Sequence, residues 1–173
     1  YTFKADFEAG SVGPWSSYPP AQDTAYDPTI WVKRIDGHPG LCLVREINAW
    51  TPSQYIFGVR KKLDFYLTKE SRISFRFYVK SYAGVEKILV KLGYGDGSAG
   101  EISLPVSRTM TWQEAVIPME KEIDSPGTKN IKAVAIMAVC RRADPEAKLR
   151  LAVDDLEITG FREKTIRVLK PAV

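Results

Sequence analysis

A chain of 173 residues that is 45% hydrophobic and 11% aromatic is long enough for one domain with a sizeable core and too apolar to be mainly disordered. Its 25 Lys and Arg against 21 Asp and Glu leave a net charge of +4, a mild excess that favours anionic partners only where the basic residues share a face. No run of about eighteen apolar residues occurs, so no segment reads as a membrane-spanning helix.

Asp6-Phe7-Glu8 reads as the opening of a short strand closed by Ala9-Gly10, and Val12-Gly13-Pro14-Trp15 as a turn leading to an aromatic anchor. Pro19-Pro20 and the polar run 21–28 cannot continue a strand, which predicts a long exposed loop carrying Tyr18, Tyr26 and, just after it, Trp31. Segments 30–35 and 41–47 read as strands around the turn Asp36-Gly37-His38-Pro39-Gly40. Trp50, in Asn48-Ala49-Trp50-Thr51-Pro52, has a polar, proline-containing context that predicts a loop, and Tyr55 follows it. Trp15 and Trp112 are flanked by strand-like patterning and are expected in the core.

From there the alternation is cleaner. One parity of 57–65 is Phe57, Val59, Leu63 and Phe65, and the other is Gly58, Arg60, Lys62 and Asp64. In 72–80 the inward set is Ile73, Phe75, Phe77 and Val79, leaving Arg72, Ser74, Arg76, Tyr78 and Lys80 outside. In 87–94, Ile88, Val90, Leu92 and Tyr94 point in, and Lys87, Leu89, Lys91 and Gly93 point out. A period of two marks half-buried antiparallel strands. The outward parity is cationic in all three. If the three strands are neighbours, these cations and Tyr78 share one face suited to an acidic glycan, because Arg forks carboxylates bidentately and aromatic rings stack on sugar faces. The alternative is a solvated face whose lysines guard against edge aggregation.

Residues 94–100 form a glycine-rich turn, and 102–106, 112–118, 131–139 and 149–159 complete the strands. Nothing has a convincing helical period, although 143–148 has room for one turn. Ten to eleven short strands with regular turn signals predict an all-β, two-sheet antiparallel β-sandwich of jelly-roll type over residues 1–160. The basic tail, 161–173, reads as a linker or contact strip for a neighbouring domain.

In the last strand, L-R-L-A-V-D-D-L-E-I, the alternation slips by one residue at Asp154-Asp155, which predicts a bulge. Two adjacent anions beside an apolar strand need water, a cation or a basic partner. If the first and last strands pair, Glu8 and Asp154 meet over a site for a hard cation, with Asp6 close by. The alternative leaves Glu8 in solvent and pairs Asp154 or Asp155 with a Lys or Arg.

Cys42 and Cys140 fit neither a CxxC motif nor a zinc spacing; one disulfide and two buried thiols both remain open. The lone histidine, His38, reads as a turn residue rather than a general base. There is no G-x-S-x-G, phosphate loop or His-based triad, although a two-carboxylate glycosidase pair is not excluded. No recognition helix or RNP-like pattern points to nucleic acid.

Asp6-Phe7-Glu8-Ala9-Gly10 with Gly13-Pro14-Trp15, the long alternating strands, and Val153-Asp154-Asp155-Leu156-Glu157-Ile158 together resemble non-catalytic carbohydrate-binding modules of the galactose-binding-like jelly-roll type. Such modules accompany glycoside hydrolases and polysaccharide lyases. The resemblance implies a structural calcium held by Glu8 and Asp154 with backbone carbonyls, and Asp6 is the further candidate ligand. It also implies a monomeric accessory module of a larger carbohydrate-active protein, binding polysaccharide beside a catalytic domain without cleaving it. The expected ligand set is Trp50, Tyr55, Trp31 and Tyr26 for stacking, with Arg60, Arg76, Tyr78 and Lys80 for polar contacts, and a uronic-acid polymer is favoured. The chain opens inside an apparent strand without Met or signal sequence, so an excised piece of a secreted, surface or periplasmic protein is expected. The competing readings are a ligand-free interdomain module packing through residues 162–173 and a jelly-roll lyase with an unrecognised site; the Arg-, Gln-His- and Tyr-rich strands of jelly-roll alginate lyases are absent.

Overall fold

The alternating segments form eleven strands and, among the described residues, no helix. The computed structural model describes residues 2–18, 29–35, 38, 40–47, 56–81, 85–106, 108–123, 127–140 and 149–159. The strands are β1 (Thr2–Ala5), β2 (Ser16–Tyr18), β3 (Ile30–Arg34), β4 (Leu41–Ile47), β5 (Ile56–Leu67), β6 (Arg72–Ser81), β7 (Val85–Tyr94), β8 (Ala99–Pro105), β9 (Gln113–Pro118), β10 (Lys129–Cys140) and β11 (Leu149–Thr159). The short strand β2 has no counterpart in the sequence reading. Segment 143–148 and the tail lie outside the described residues.

Two antiparallel sheets result. One has six strands, in the order β3-β4-β11-β6-β9 with β1 also on β11; the other has five, in the order β2-β5-β10-β7-β8. Their inward parities meet in one core that includes Phe57, Phe75, Leu43, Ile88, Ile136 and Leu151, all almost inaccessible. Burying each such side chain contributes about 1.5–3 kcal/mol, enough to fix which parity of each strand faces inward. Arg45 stands among them at 7% exposure; its Nη1 donates to Tyr18 O at 2.8 Å and Gly58 O at 3.1 Å, tying the two sheets together.

The first and last strands do pair, from Thr2 opposite Thr159 to Ala5 opposite Leu156. The opening strand ends earlier than the sequence predicts, however. Asp6–Gly10 is a turn, closed by Gly10 N donating to Phe7 O at 3.0 Å, with Phe7 at φ 59° and Gly10 at φ 77°. Phe7 accepts that left-handed backbone because its ring is buried edge-on to Trp15, with centroids 5.7 Å apart. Trp15 is a core residue, as expected.

Strand β11 changes partners along one edge. Residues 149–153 pair with β4 and residues 156–159 with β1, while β6 follows the other edge. The predicted slip falls at this handover: the register against β6 shifts between Asp154 and Glu157, and Asp155 has φ 48°. Both cysteines are buried thiols not joined in a disulfide, Cys140 in the inter-sheet core and Cys42 on the outer side of the six-stranded sheet.

Candidate functional site

Directly paired residues point to the same side of a sheet, so the ladders show what each outer face displays. On the six-stranded sheet, Trp31, Val44, Ala152 and Tyr78 form one row across β3, β4, β11 and β6. One part of that face, around the β3–β4 connection, is covered by the protein itself, while its β1–β6–β9 end is open over a concavity of about 360 Å³ lined by Lys4, Ser74, Arg76, Glu114 and Glu157. Ile35 and His38, from the β3–β4 connection, fold back over it; Ile35 packs with Cys42, Val44 and Ala152, with Tyr78 and Trp112 against the cluster. The His38 ring stacks on Trp112 with centroids 4.0 Å apart and an interplanar angle of 22°. Its Nε2 lies 2.5 Å from Asp154 Oδ2, and both side chains are about 95% buried. Two sequence expectations change here. His38 is a buried partner of Asp154 rather than a simple turn residue, and Trp112 covers an outer face, with a buried Nε1 that has no partner among the described residues, rather than filling the inter-sheet core.

The electrostatics of this corner follow from burial. Burial pushes the Asp154 carboxyl above its ordinary value, opposed chiefly by the contact with His38. Asp154 Oδ1 is buried and has no partner among the described residues. Burial, with Asp154 nearby, also pushes the Cys42 thiol up to about 12. Glu8 reaches the same connection: its Oε1 accepts from Leu41 N at 3.0 Å and packs where a side chain on residue 40 would stand, so a larger residue at 40 would displace the Glu8 carboxylate. Asp6 Oδ1 accepts from Glu8 N at 3.2 Å, capping the turn. Glu8 and Asp154 therefore grip the 38–41 segment at two points, yet among the described residues no three His, Cys, Asp or Glu side chains converge as a metal site.

The five-stranded sheet displays a different face. Its rows are Tyr18, Gly58, Met137, Leu89 and Ser103, then Ser16, Arg60, Ala135, Lys91 and Glu101, then Lys62, Ala133, Gly93 and Ala99, with Ile56, Val139, Lys87 and Pro105 at one end. The floor consists of Leu89, Ala135 and Met137, with Tyr18, Ile56 and Val139 packed against it. Arg60, Lys62, Lys87 and Lys91 stand around that floor, and among the described residues none of them makes an ion pair. Gly58 is buried in the floor because a Cβ there would collide with the β10 backbone at Ile136 O.

The predicted ligand residues are thereby divided. Arg60 lies on the five-stranded face. Trp31, Arg76, Tyr78 and Lys80 lie on the other sheet, because β6 pairs with β11 and β9 while β5 and β7 flank β10. There Arg76 approaches Asp155 at 3.7 Å, Lys33 Nζ sits 4.7 Å over the Trp31 ring, and Tyr78 packs against Trp112. Tyr26, Trp50 and Tyr55 lie outside the described residues. The floor residues Ala133, Ala135 and Met137 are additions; their signal was a β10 segment apolar on both parities, the mark of a strand covered on both sides.

The sequence matches no protein-family model and no curated protein. The fold does match solved structures. A carbohydrate-binding module described as specific for non-crystalline cellulose, CBM28, superposes with TM-score 0.58 at 14% identity, over 90% of this chain and 93% of that one. The C-terminal family 22 carbohydrate-binding module of Clostridium thermocellum Xyn10B gives TM-score 0.55 at 14% identity, over 95% of each chain. A cyclase from Fischerella sp. gives 0.53 at 12%, over 94% of this chain and 90% of that one. The chain thus has the jelly-roll β-sandwich fold of carbohydrate-binding modules.

Proposed function

We propose that this domain binds an acidic polysaccharide on the outer face of its five-stranded sheet, without cleaving it, as the accessory module of a larger, secreted or surface-exposed carbohydrate-active protein. The observation that carries this reading is the set of Arg60, Lys62, Lys87 and Lys91 around a floor of small and apolar residues. Four inter-strand spacings of about 4.8 Å make the face about 19 Å wide. A glycan lying on it meets apolar atoms below its ring C–H groups and cationic donors beside its carboxylates. Exposed charge pairs contribute only about 0.2–1 kcal/mol each, so the four together shift affinity by about half an order to three orders of magnitude, and added salt weakens them. Tyr18 offers a ring at the edge of the floor. Tyr26, Trp50 and Tyr55 complete the proposed stacking set.

A structural calcium at the corner where β11 changes partners belongs to the same reading, with Asp154, Glu8 and Asp6 as its side-chain ligands. The unpartnered, buried Oδ1 of Asp154 supports it. With Asp154 Oδ2 held by His38 and Glu8 Oε1 by Leu41 N, backbone carbonyls would supply most of the coordination. The ion would fasten the N-terminal turn to β11, remote from the glycan.

Affinity electrophoresis tests the binding reading. Migration is expected to slow in gels containing a uronic-acid polymer more than in gels containing neutral glucans or xylans, and to recover in Arg60→Ala/Lys91→Ala. Equal migration in every gel would overturn it, and the appearance of unsaturated-sugar absorbance during incubation would overturn the non-catalytic part.

A further inference from the structure

The turn end of the five-stranded sheet carries a second concavity, set apart from the four cations. The β10 bulge between Ile131 and Ala133 places Asn130 and Lys132 beside β5, where Asn130 Nδ2 and Lys132 Nζ both bond Asp64 Oδ1, at 3.0 and 2.8 Å. Asn130 stands opposite Tyr66 in the β5–β10 ladder. The β7–β8 turn closes the other side: Gly95 N donates to Asn130 O at 2.9 Å, and Asp96 Oδ1 accepts from Ser98 N and Oγ at 2.8 and 2.6 Å. A Cβ on residue 95 would fall 2.8 Å from Asn130 Oδ1, so an alanine there would push the Asn130 side chain out of its place. These elements enclose a cleft of about 380 Å³ lined by Tyr66, Tyr94, Asp96, Thr128, Asn130 and Lys132. Small-molecule sites range over about 300–1,000 Å³, so the space suits one or two sugar rings.

We infer that this cleft is a second saccharide site, one that takes a neutral pyranose with vicinal hydroxyls. Its charges cancel locally. Lys132 neutralises Asp64, and Lys129, whose Nζ sits 4.7 Å over the Tyr94 ring, faces Asp96 across the cleft lining. Hydrogen-bonding capacity remains: the buried hydroxyl of Tyr94, which lines the cleft, has no partner among the described residues, and Asp96 and Asn130 present their carboxylate and amide beside it. Acceptors paired with ammonium donors hold two adjacent hydroxyls at once, while the half-exposed Tyr66 ring offers a stacking surface for the C–H face of the sugar. An anionic ring would instead meet the carboxylate of Asp96. The inference does not rest on the sheet-face reading, since none of its residues belongs to the cation set.

Amide chemical-shift titration with the methyl β-pyranosides of glucose, galactose and xylose, and with methyl β-glucuronide, tests it. At least one neutral pyranoside is expected to give saturable shifts at Gly95, Asp96 and Ser98 and at the Asn130 side-chain amide. Tyr66→Ala and Gly95→Ala should weaken that binding at least tenfold while keeping the dispersed spectrum of a folded domain, and Arg60→Ala should leave it unchanged. No saturable shift with any neutral pyranoside, unchanged affinity in folded Tyr66→Ala, or binding of the glucuronide alone would overturn the assignment.

Discussion

His38 Nε2 and Asp154 Oδ2 lie 2.5 Å apart, joining the β3–β4 connection to the middle of β11 across the outer face of the six-stranded sheet. This contact, with the imidazole stacked on Trp112, covers the part of that face around Ala152 and Tyr78, while the β1–β6–β9 end stays open. Removing the imidazole leaves a buried carboxyl without its partner and uncovers Trp112. Losses of this kind cost on the order of 3 kcal/mol, and for a domain of this size each kcal/mol lowers Tm by about 2–4 °C. His38→Ala should therefore melt about 6–12 °C lower. The double variant His38→Ala/Asp154→Ala should lose clearly less than the sum of the two single variants, as measured by thermal melts; strict additivity would show that the two residues act independently.

The proposed calcium at the β11 handover would make stability depend on the free ion. Melting should shift down after EDTA treatment and recover, in a calcium-dependent way, when the ion is restored, since a ligand bound only to the folded state stabilises by mass action. Asp154→Asn should reduce that recovery. A midpoint indifferent to both chelator and calcium would remove the ion from the account.

The thiols give a third prediction. Cys42 and Cys140 are not joined in a disulfide and are buried on opposite sides of the six-stranded sheet's backbone, so neither should react with a thiol reagent until the domain unfolds, and two thiols should then titrate in denaturant. Burial raises the folded pKa of Cys42 from 9.0 to about 12. A raised folded pKa means that the neutral thiol is favoured in the fold. Its stabilising contribution is complete below pH 9 and is lost as pH rises from 9 through about 12. Cys42→Ala should accordingly flatten the alkaline arm of a stability–pH curve, and an unaltered arm would contradict the burial argument.

The strand set was legible in sequence wherever one face of a strand meets the core and the other meets water. Period two in 57–65, 72–80 and 87–94 gave the inward residues correctly, and the broken alternation at Asp154-Asp155 marked the true bulge. What periodicity does not carry is which sheet each strand joins. Sending β6 to one sheet and β5 and β7 to the other is a crossover fixed by the whole packing, so the cationic residues that look alike in sequence separate into two faces. His38 was missed because its partner lies 116 residues away, and a Gly-His-Pro-Gly turn gives no hint that it folds back onto a sheet. Arg45 was missed for a related reason: in a strand pattern a charged residue reads as outward, yet here it spans the sandwich to reach Tyr18 and Gly58 carbonyls.

The central claim is that the five-stranded face binds an anionic glycan. Calorimetric titration of a uronic-acid oligosaccharide at low and high salt, into the wild type, Arg60→Ala/Lys91→Ala and the opposite-face control Arg76→Ala/Lys80→Ala, tests it most directly. The expected result is wild-type binding that weakens with salt, a loss of about two- to thirtyfold in the Arg60/Lys91 variant, and no change in the control. Equal affinity in the wild type and the Arg60/Lys91 variant, or a loss confined to the Arg76/Lys80 variant, would contradict it.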